Sequence, residues 1–246
     1  MRSPTNLTSV TQSIVEDLGI AIVTGKFDGV VFPREIELCD KYQAARTVVR
    51  EAVKMLTSKG LLSSRKRRGT IVTGESEWNL LDPDVLRWTL ERHFSLQLLI
   101  EFTEIRVSVE PGAAALAARR ATEAERAAIV EAIERMFAAE QGHDDPLTAD
   151  IAFHVAVLEA SGNRFYRQMR EMIETALRFS IRKTNDLKGR FASVMDHRRV
   201  ADAILAGDPA DAERRMRDLI QGALDLMEKV RGDEQAKPNA PPRKRR

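Results

Sequence analysis

Asp150 and His154 stand four residues apart, the spacing that places two side chains on one face of a helix. His197 comes later, in helical register with Val194, Ala201 and Ile204, so its helix side is otherwise apolar. One carboxylate and two imidazoles converging inside a helical bundle could hold a divalent metal ion such as zinc, nickel or manganese. The same spacing suits histidines satisfied within a core, which is the commoner fate of a lone histidine on an apolar helix face. Arg106 lies between Phe102 and Val109 on an apolar helix side. A buried guanidinium is costly unless an anion pairs with it. Two anions qualify: Glu110 one turn on, or the carboxylate of a small organic acid gripped by the planar fork. Ser193 precedes His197 by one turn and either adds a hydroxyl to the same cavity or faces solvent.

A second constellation occupies 43–73, QAARTVVREAVKMLTSKGLLSSRKRRGTIVT. Val49, Ala52, Val53 and Leu56 fall at helical spacing, with Arg46, Thr47, Arg50 and Lys54 on the other side. Gly60 stops that helix, and LLSS and TIVT flank RKRRG as a cationic hairpin. A helix with arginines near its start, followed by a cationic hairpin, suits a major groove and its flanking phosphates. A solvated basic face accounts for any one of these charges, but not for helix, hairpin and charge together.

The chain of 246 residues has room for two domains. Its charge is uneven: 1–73 holds 12 Lys and Arg against 7 Asp and Glu, while 74–230 holds 21 against 28. A basic head on an acidic body separates a polyanion-binding module from one with another task. The single cysteine, Cys39, excludes an internal disulfide framework and fits a reducing cytosol. No apolar run reaches membrane-spanning length, so no membrane partner is expected.

These elements are positioned by a mainly α chain. A helix over 8–25, a short one over 35–42, the helix from 46 and the hairpin over 61–73 make a winged helix-turn-helix in 1–73. A linker is expected at 74–81, flanked by Trp78 and Trp88, which would pin the two domains together. An all-α bundle of six or seven helices follows over 82–231, with helices near 96–120, 123–141, 146–161, 164–186, 190–206 and 210–231. The proline-rich basic tail, 232–246, is expected to be disordered.

FPREIELCDKY, ARTVVREAVKML and KGLLSSRKRRGTIV, in that order, resemble the GntR family of bacterial transcription regulators. EIRVSVEPGAAALAARRAT, DIAFHVAVLEASGN and DHRRVADAILAGDPADAERRM resemble its FCD branch, and the likeness covers about 10–230. WNLLDPDVLRWTLE looks like the part of that branch that holds galactonate-operon-type sugar-acid repressors. The resemblance implies a repressor that binds a palindromic operator in double-stranded DNA as a homodimer, in the cytoplasm. It assigns DNA contact to Arg46, Thr47, Arg50, Arg68, Gly69 and Thr70. It assigns effector contact to Arg106 and a divalent metal to an Asp and three His, of which Asp150, His154 and His197 match. The effector would be a sugar acid such as a galactonate-like aldonate; a dicarboxylate, hydroxy acid or amino acid is the alternative. Three positions depart from the family pattern. Ile36 replaces a common arginine, Ala45 replaces the serine that usually caps the recognition helix, and Leu219, beside Asp218, replaces the fourth His. A metal-dependent hydrolase with a nucleic-acid-binding head is the rival from another class, but no nucleophile or separate general base stands out.

Overall fold

The computed structural model describes residues 4–65, 69–92, 95–188 and 193–236. The chain divides into two compact units, Met1–Phe94 and Ser95–Arg246. The first contains α1 (Pro4–Val23), α2 (Glu35–Tyr42), α3 (Arg46–Ser58), β1 (Leu62–Arg65), β2 (Gly69–Val72), a 3-10 turn at Glu75–Glu77, and α4 (Pro83–Arg92). The strands pair antiparallel with Leu62 opposite Val72 and Arg65 opposite Gly69, forming the expected wing. Its tip, 66–68, which includes the expected DNA contact Arg68, lies outside the described residues.

The apolar stripes read from the sequence form this unit's core. Ile14, Leu18 and Ile22 of α1 pack with Val49, Ala52 and Leu56 of α3, and Val53 sits at the edge of the cluster. Gly60 follows α3 in the left-handed region, φ 79°, and a Cβ there would meet the Glu77 carbonyl oxygen at 2.3 Å. No other residue fits that turn without moving the chain that crosses it.

The expected linker at 74–81, and the start of a second domain at 82, are corrected by the packing of α4. Trp88 is fully buried in the first unit's core with Val85, and Trp78 and Leu80 pack against the same cluster. A Cβ on Gly19 would lie 2.4 Å from the Trp88 ring, so the glycine of α1 makes room for the indole. Lys59 donates to Asp82 at 2.8 Å and to Asp84 at 3.0 Å, and Arg87 pairs with Glu16 at 2.7 Å. The two tryptophans therefore fasten 74–92 to the winged helix rather than marking a free linker, and the units divide at Phe94 and Ser95.

The second unit is all helix among the described residues: α5 (Leu96–Arg120), α6 (Glu123–Glu140), α7 (Pro146–Ala160), α8 (Arg164–Gln168), α9 (Arg170–Lys188), α10 (Val194–Leu205) and α11 (Pro209–Ala236). Local chemistry sets the starts. Ser95 caps α5, Thr122 and Glu125 form a reciprocal capping box on α6, and Asp145 caps α7 ahead of Pro146. Asp208 accepts from the N–H groups of Ala210 and Asp211 at the start of α11. The single helix expected over 164–186 is interrupted where the Met169 N–H is shared between the carbonyls of Phe165 and Tyr166. α11 continues through Ala236, so the disorder expected from 232 does not hold for 232–236, where Glu, Gln and Ala favour helix; 237–246 lie outside the described residues. α7 is buried on most of its circumference, with Ile151, Phe153, Val157 and Leu158 all in the core. Val155, on the same helix, is only half-buried.

Replacing Trp88 with Ala is expected to destabilise the first unit by about 3–5 kcal/mol, the usual cost of deleting a buried aromatic side chain. Denaturant unfolding of the full chain measures it. A change under about 0.5 kcal/mol, typical of a surface site, would return 74–92 to the status of a linker.

Candidate metal centre and DNA-binding face

Asp150, His154 and His197 meet inside the second unit, each no more than 3% exposed. α7 supplies the first two and α10 the third. Asp150 Oδ1 lies 3.3 Å from His154 Nε2 and 3.4 Å from His197 Nε2. Those are the separations of two donors that bind one ion at about 2.0–2.2 Å.

The outer nitrogens of both rings are already committed. His154 Nδ1 lies 2.5 Å from Glu110 Oε2, and His197 Nδ1 lies 2.8 Å from the Ser193 carbonyl oxygen. A carboxylate and a carbonyl only accept, so both Nδ1 atoms donate, and a neutral ring then carries its lone pair on Nε2. Three lone-pair atoms thus face one another. Asp150 Oδ1 and His197 Nε2 are buried without a hydrogen-bond partner. Such a trio is repulsive unless positive charge sits within it, as protons on Nε2 or as a metal ion. Histidines held through Nδ1 by an acceptor are the usual support of metal-binding imidazoles. The residues present therefore fit a divalent cation.

The electrostatics of the cluster follow the same demand. Burial pushes Asp150 up, but His197 and His154 outweigh it and hold the carboxyl well below the usual range. Burial likewise pushes Glu110 up, while the Arg106 guanidinium and then His154 bring it down to about 2. Burial favours neutral His154, but the Glu110 carboxylate raises its pKa on balance.

Glu110 is the member of this cluster that sequence reasoning admitted only as a possible partner for Arg106. Arg106 Nε donates to Glu110 Oε1 at 2.6 Å, and its Nη2 rests 3.3 Å from His154 Nε2. The ion pair with Glu110 is thus made, and it uses one edge of the fork. The i,i+4 spacing of two charges on an apolar stripe was the available signal. Ser193 has other tasks than lending a hydroxyl to a cavity: its Oγ caps α10 by accepting from the Asp196 N–H, and its carbonyl anchors His197. Leu219, where the resemblance implied a fourth His, is half-buried and aliphatic. Asp218 does not replace it, being exposed and paired with Arg214 at 3.7 Å. Among the described residues the cluster offers three candidate protein ligands.

The exposed face of α3 is the other candidate site. Arg46, Thr47 and Arg50 all face solvent. Ala45 caps α3 without a side-chain hydrogen bond, so the missing serine costs the helix a bond at its start. Glu35, at the start of α2, accepts from Arg46 Nε at 3.1 Å and from Arg50 Nη2 at 3.3 Å. Ile36, in place of the common arginine, is 62% exposed. Gly69, with φ 75°, opens β2 at the edge of the wing, and Thr70 follows half-buried. His143, just past the end of α6, is exposed.

A winged helix-turn-helix unit with a basic recognition face, joined to a helical unit with a buried carboxylate–imidazole cluster, defines a one-chain transcription regulator with a ligand-responsive domain. Family comparison agrees: residues 10–72 match the bacterial regulatory proteins of the gntR family, and 101–222 match the FCD domain. The chain belongs to the GntR family, with an FCD domain as its second unit. It is 35% identical to the galactonate operon transcriptional repressor of Escherichia coli strain K12, over 83% of this chain and 90% of that protein. It is 30% identical to the HTH-type transcriptional regulator LutR of Bacillus subtilis strain 168, over 73% and 83%. A solved structure of Lar, which controls the Listeria monocytogenes agr system, aligns over 94% of this chain and 99% of that one, with a TM-score of 0.54 and 14% identity, a likeness of fold alone. These relatives are named as regulators, and the chain is a regulator rather than an enzyme.

Zinc, nickel and manganese titrations of chelator-treated protein should each show whether one ion binds per chain. His154→Ala should abolish binding, and Glu110→Gln should weaken it by about 10- to 100-fold, the usual effect of losing a residue that orients a ligand. Wild-type protein that neither binds these ions nor gains thermal stability from them would leave the cluster protonated and metal-free.

Proposed function

We propose that the chain is a homodimeric, cytoplasmic repressor that leaves its operator when a small organic acid binds the FCD domain, the acid being a sugar acid of the galactonate-like aldonate class. The 35% identity to a galactonate operon repressor over most of both chains carries this reading. Asp150, His154 and His197 would hold a divalent ion, which supplies positive charge for the acid's carboxylate. Arg106, with Nε bound to Glu110, offers its remaining edge to the same anion. A dimer would set two copies of α3 on half-sites related by the protein's own twofold axis. Arg46, Thr47 and Arg50 would meet base edges or flanking phosphates, with Gly69, Thr70 and the tip residue Arg68 beside them. The effector acts only through its preference for one arrangement of the chain over another.

A hydroxy acid is the second reading. A putative L-lactate dehydrogenase operon regulatory protein of Escherichia coli is 29% identical over 76% of the chain. Aldonates and lactate share the 2-hydroxy carboxylate group, so the polar cluster alone does not separate them.

Arg50→Ala should lose about 1–3 kcal/mol of operator affinity if the side chain spans a base edge, and Arg46→Ala should also weaken binding. Unchanged affinity in both folded variants would sink the DNA assignment. Calorimetric titration with aldonates, 2-keto-3-deoxy acids, lactate, dicarboxylates and amino acids ranks the effector classes. Arg106→Lys should still bind operator but fail to release it with the acid, because an ammonium lacks the planar fork. Response to a dicarboxylate or amino acid, and to no sugar acid, would refute the sugar-acid class and leave the regulator intact.

A further inference from the structure

We propose that Glu35 is a positioning residue for DNA recognition, its carboxylate holding Arg46 and Arg50 together on the exposed face of α3 so that their outer N–H groups are presented ready to read bases. The inference rests on the assignment of these two arginines to DNA.

A single carboxylate oxygen, Glu35 Oε2, accepts from Arg46 Nε at 3.1 Å and from Arg50 Nη2 at 3.3 Å. Arg46 is the first residue of α3, and Arg50 follows one turn later. Like charges at this spacing repel, and a cation in the first turn opposes the helix dipole. α3 has no acidic residue in its first turn and no side-chain cap. Nothing in its own start offsets the two cations. The compensating charge comes instead from the first turn of α2, across the helix-turn-helix.

The way the oxygen is shared matters. Arg46 gives up Nε, and its Nη1 and Nη2 have no partner among the described residues. That end of a guanidinium can span the O6 and N7 acceptors of guanine. Two long side chains, 71% and 52% exposed, would otherwise sample many rotamers and lose that freedom on binding. Holding them beforehand lowers the cost of recognition. The bonds from Arg50 and then Arg46 keep the Glu35 carboxyl below its usual range, so it stays charged at neutral pH.

The carboxylate also repels phosphate, which dominates binding to any sequence. Glu35 thus has opposite effects on two measurable affinities, raising the specific one and lowering the non-specific one. Duplexes selected from a random library by the wild-type chain supply a preferred sequence, and a scrambled duplex of equal composition supplies the reference. Both are titrated at one salt concentration with wild type, Glu35→Gln, Glu35→Ala, Arg46→Ala/Arg50→Ala and the triple variant. The ratio of preferred to scrambled affinity should fall at least about 10-fold in both Glu35 variants, the loss expected when a bidentate base contact is weakened, while scrambled binding holds or tightens. In the double-arginine background, Glu35→Ala should change the ratio no further, because its effect passes through those side chains. An unchanged or raised ratio in Glu35→Gln and Glu35→Ala overturns the proposal and makes Glu35 a competitor of phosphate. Equal loss on both duplexes, or an undiminished effect in the double-arginine background, also overturns it and marks Glu35 as structural. If Arg46→Ala/Arg50→Ala keeps the full preference, the DNA assignment itself fails and the inference with it.

Discussion

Burying charge without leaving it unpaired is the constraint on which the second unit depends. Arg106, Glu110, Asp150, His154 and His197 are each at most 3% exposed, inside a bundle whose interior is mostly apolar, with the Phe153 ring edge-on to both imidazoles. Removing one member of a buried ion pair typically costs about 3–5 kcal/mol, a large part of an ordinary domain's stability. The chain meets the cost by linking these groups in series. Arg106 donates to Glu110, Glu110 accepts from His154, and His154 and His197 converge on Asp150. Only at the far end, at Asp150 Oδ1 and His197 Nε2, is a buried atom left without a hydrogen-bond partner in this series. The candidate site for a cation is thus the unsatisfied end of a network that is otherwise complete.

The helices explain why the series can be held. α5 carries Arg106 and Glu110 one turn apart, α7 carries Asp150 and His154 one turn apart, and α10 brings His197. Each helix start is fixed by a side-chain cap, at Ser95, Asp145 and Ser193. Ser193 acts twice, since its hydroxyl starts α10 and its carbonyl, one turn before His197, fixes the ring. A shift of α10 by one residue would break both. The site's geometry is therefore tied to the helix caps, not only to the packing of the core.

Much of this was legible in the residues, and the rest was hidden for definable reasons. The 3.6-residue periodicity exposed α3, α5 and α7 and placed Asp150, His154 and His197 on inward faces, because burial leaves its mark in composition. The role of α4 was not visible in that way. The bundle was expected to begin at 82 with Trp88 beside a linker, and only the space left by Gly19 shows which core Trp88 enters. Glu110 appeared as a partner for Arg106 but not as a support for His154, because that contact joins residues 44 positions apart. Glu35 left no pattern at all, since its bonds to Arg46 and Arg50 cross a turn between two helices.

The two glutamates use one device at different depths. Glu110 binds an arginine and a histidine in the interior, and Glu35 binds two arginines at the surface. Depth decides what each can control. In the low dielectric of the bundle the Glu110 contacts are strong enough to fix a tautomer and hold up the fold, so change there cannot be isolated from stability. At the surface, exposed ion pairs contribute about 0–1 kcal/mol, too little to matter for folding. That weakness makes Glu35 adjustable: the order of two recognition side chains can be altered there while the winged unit keeps its core. On the proposed reading, selectivity for DNA and response to an effector would thus depend on carboxylates of the same kind, one separable from the fold and one built into it.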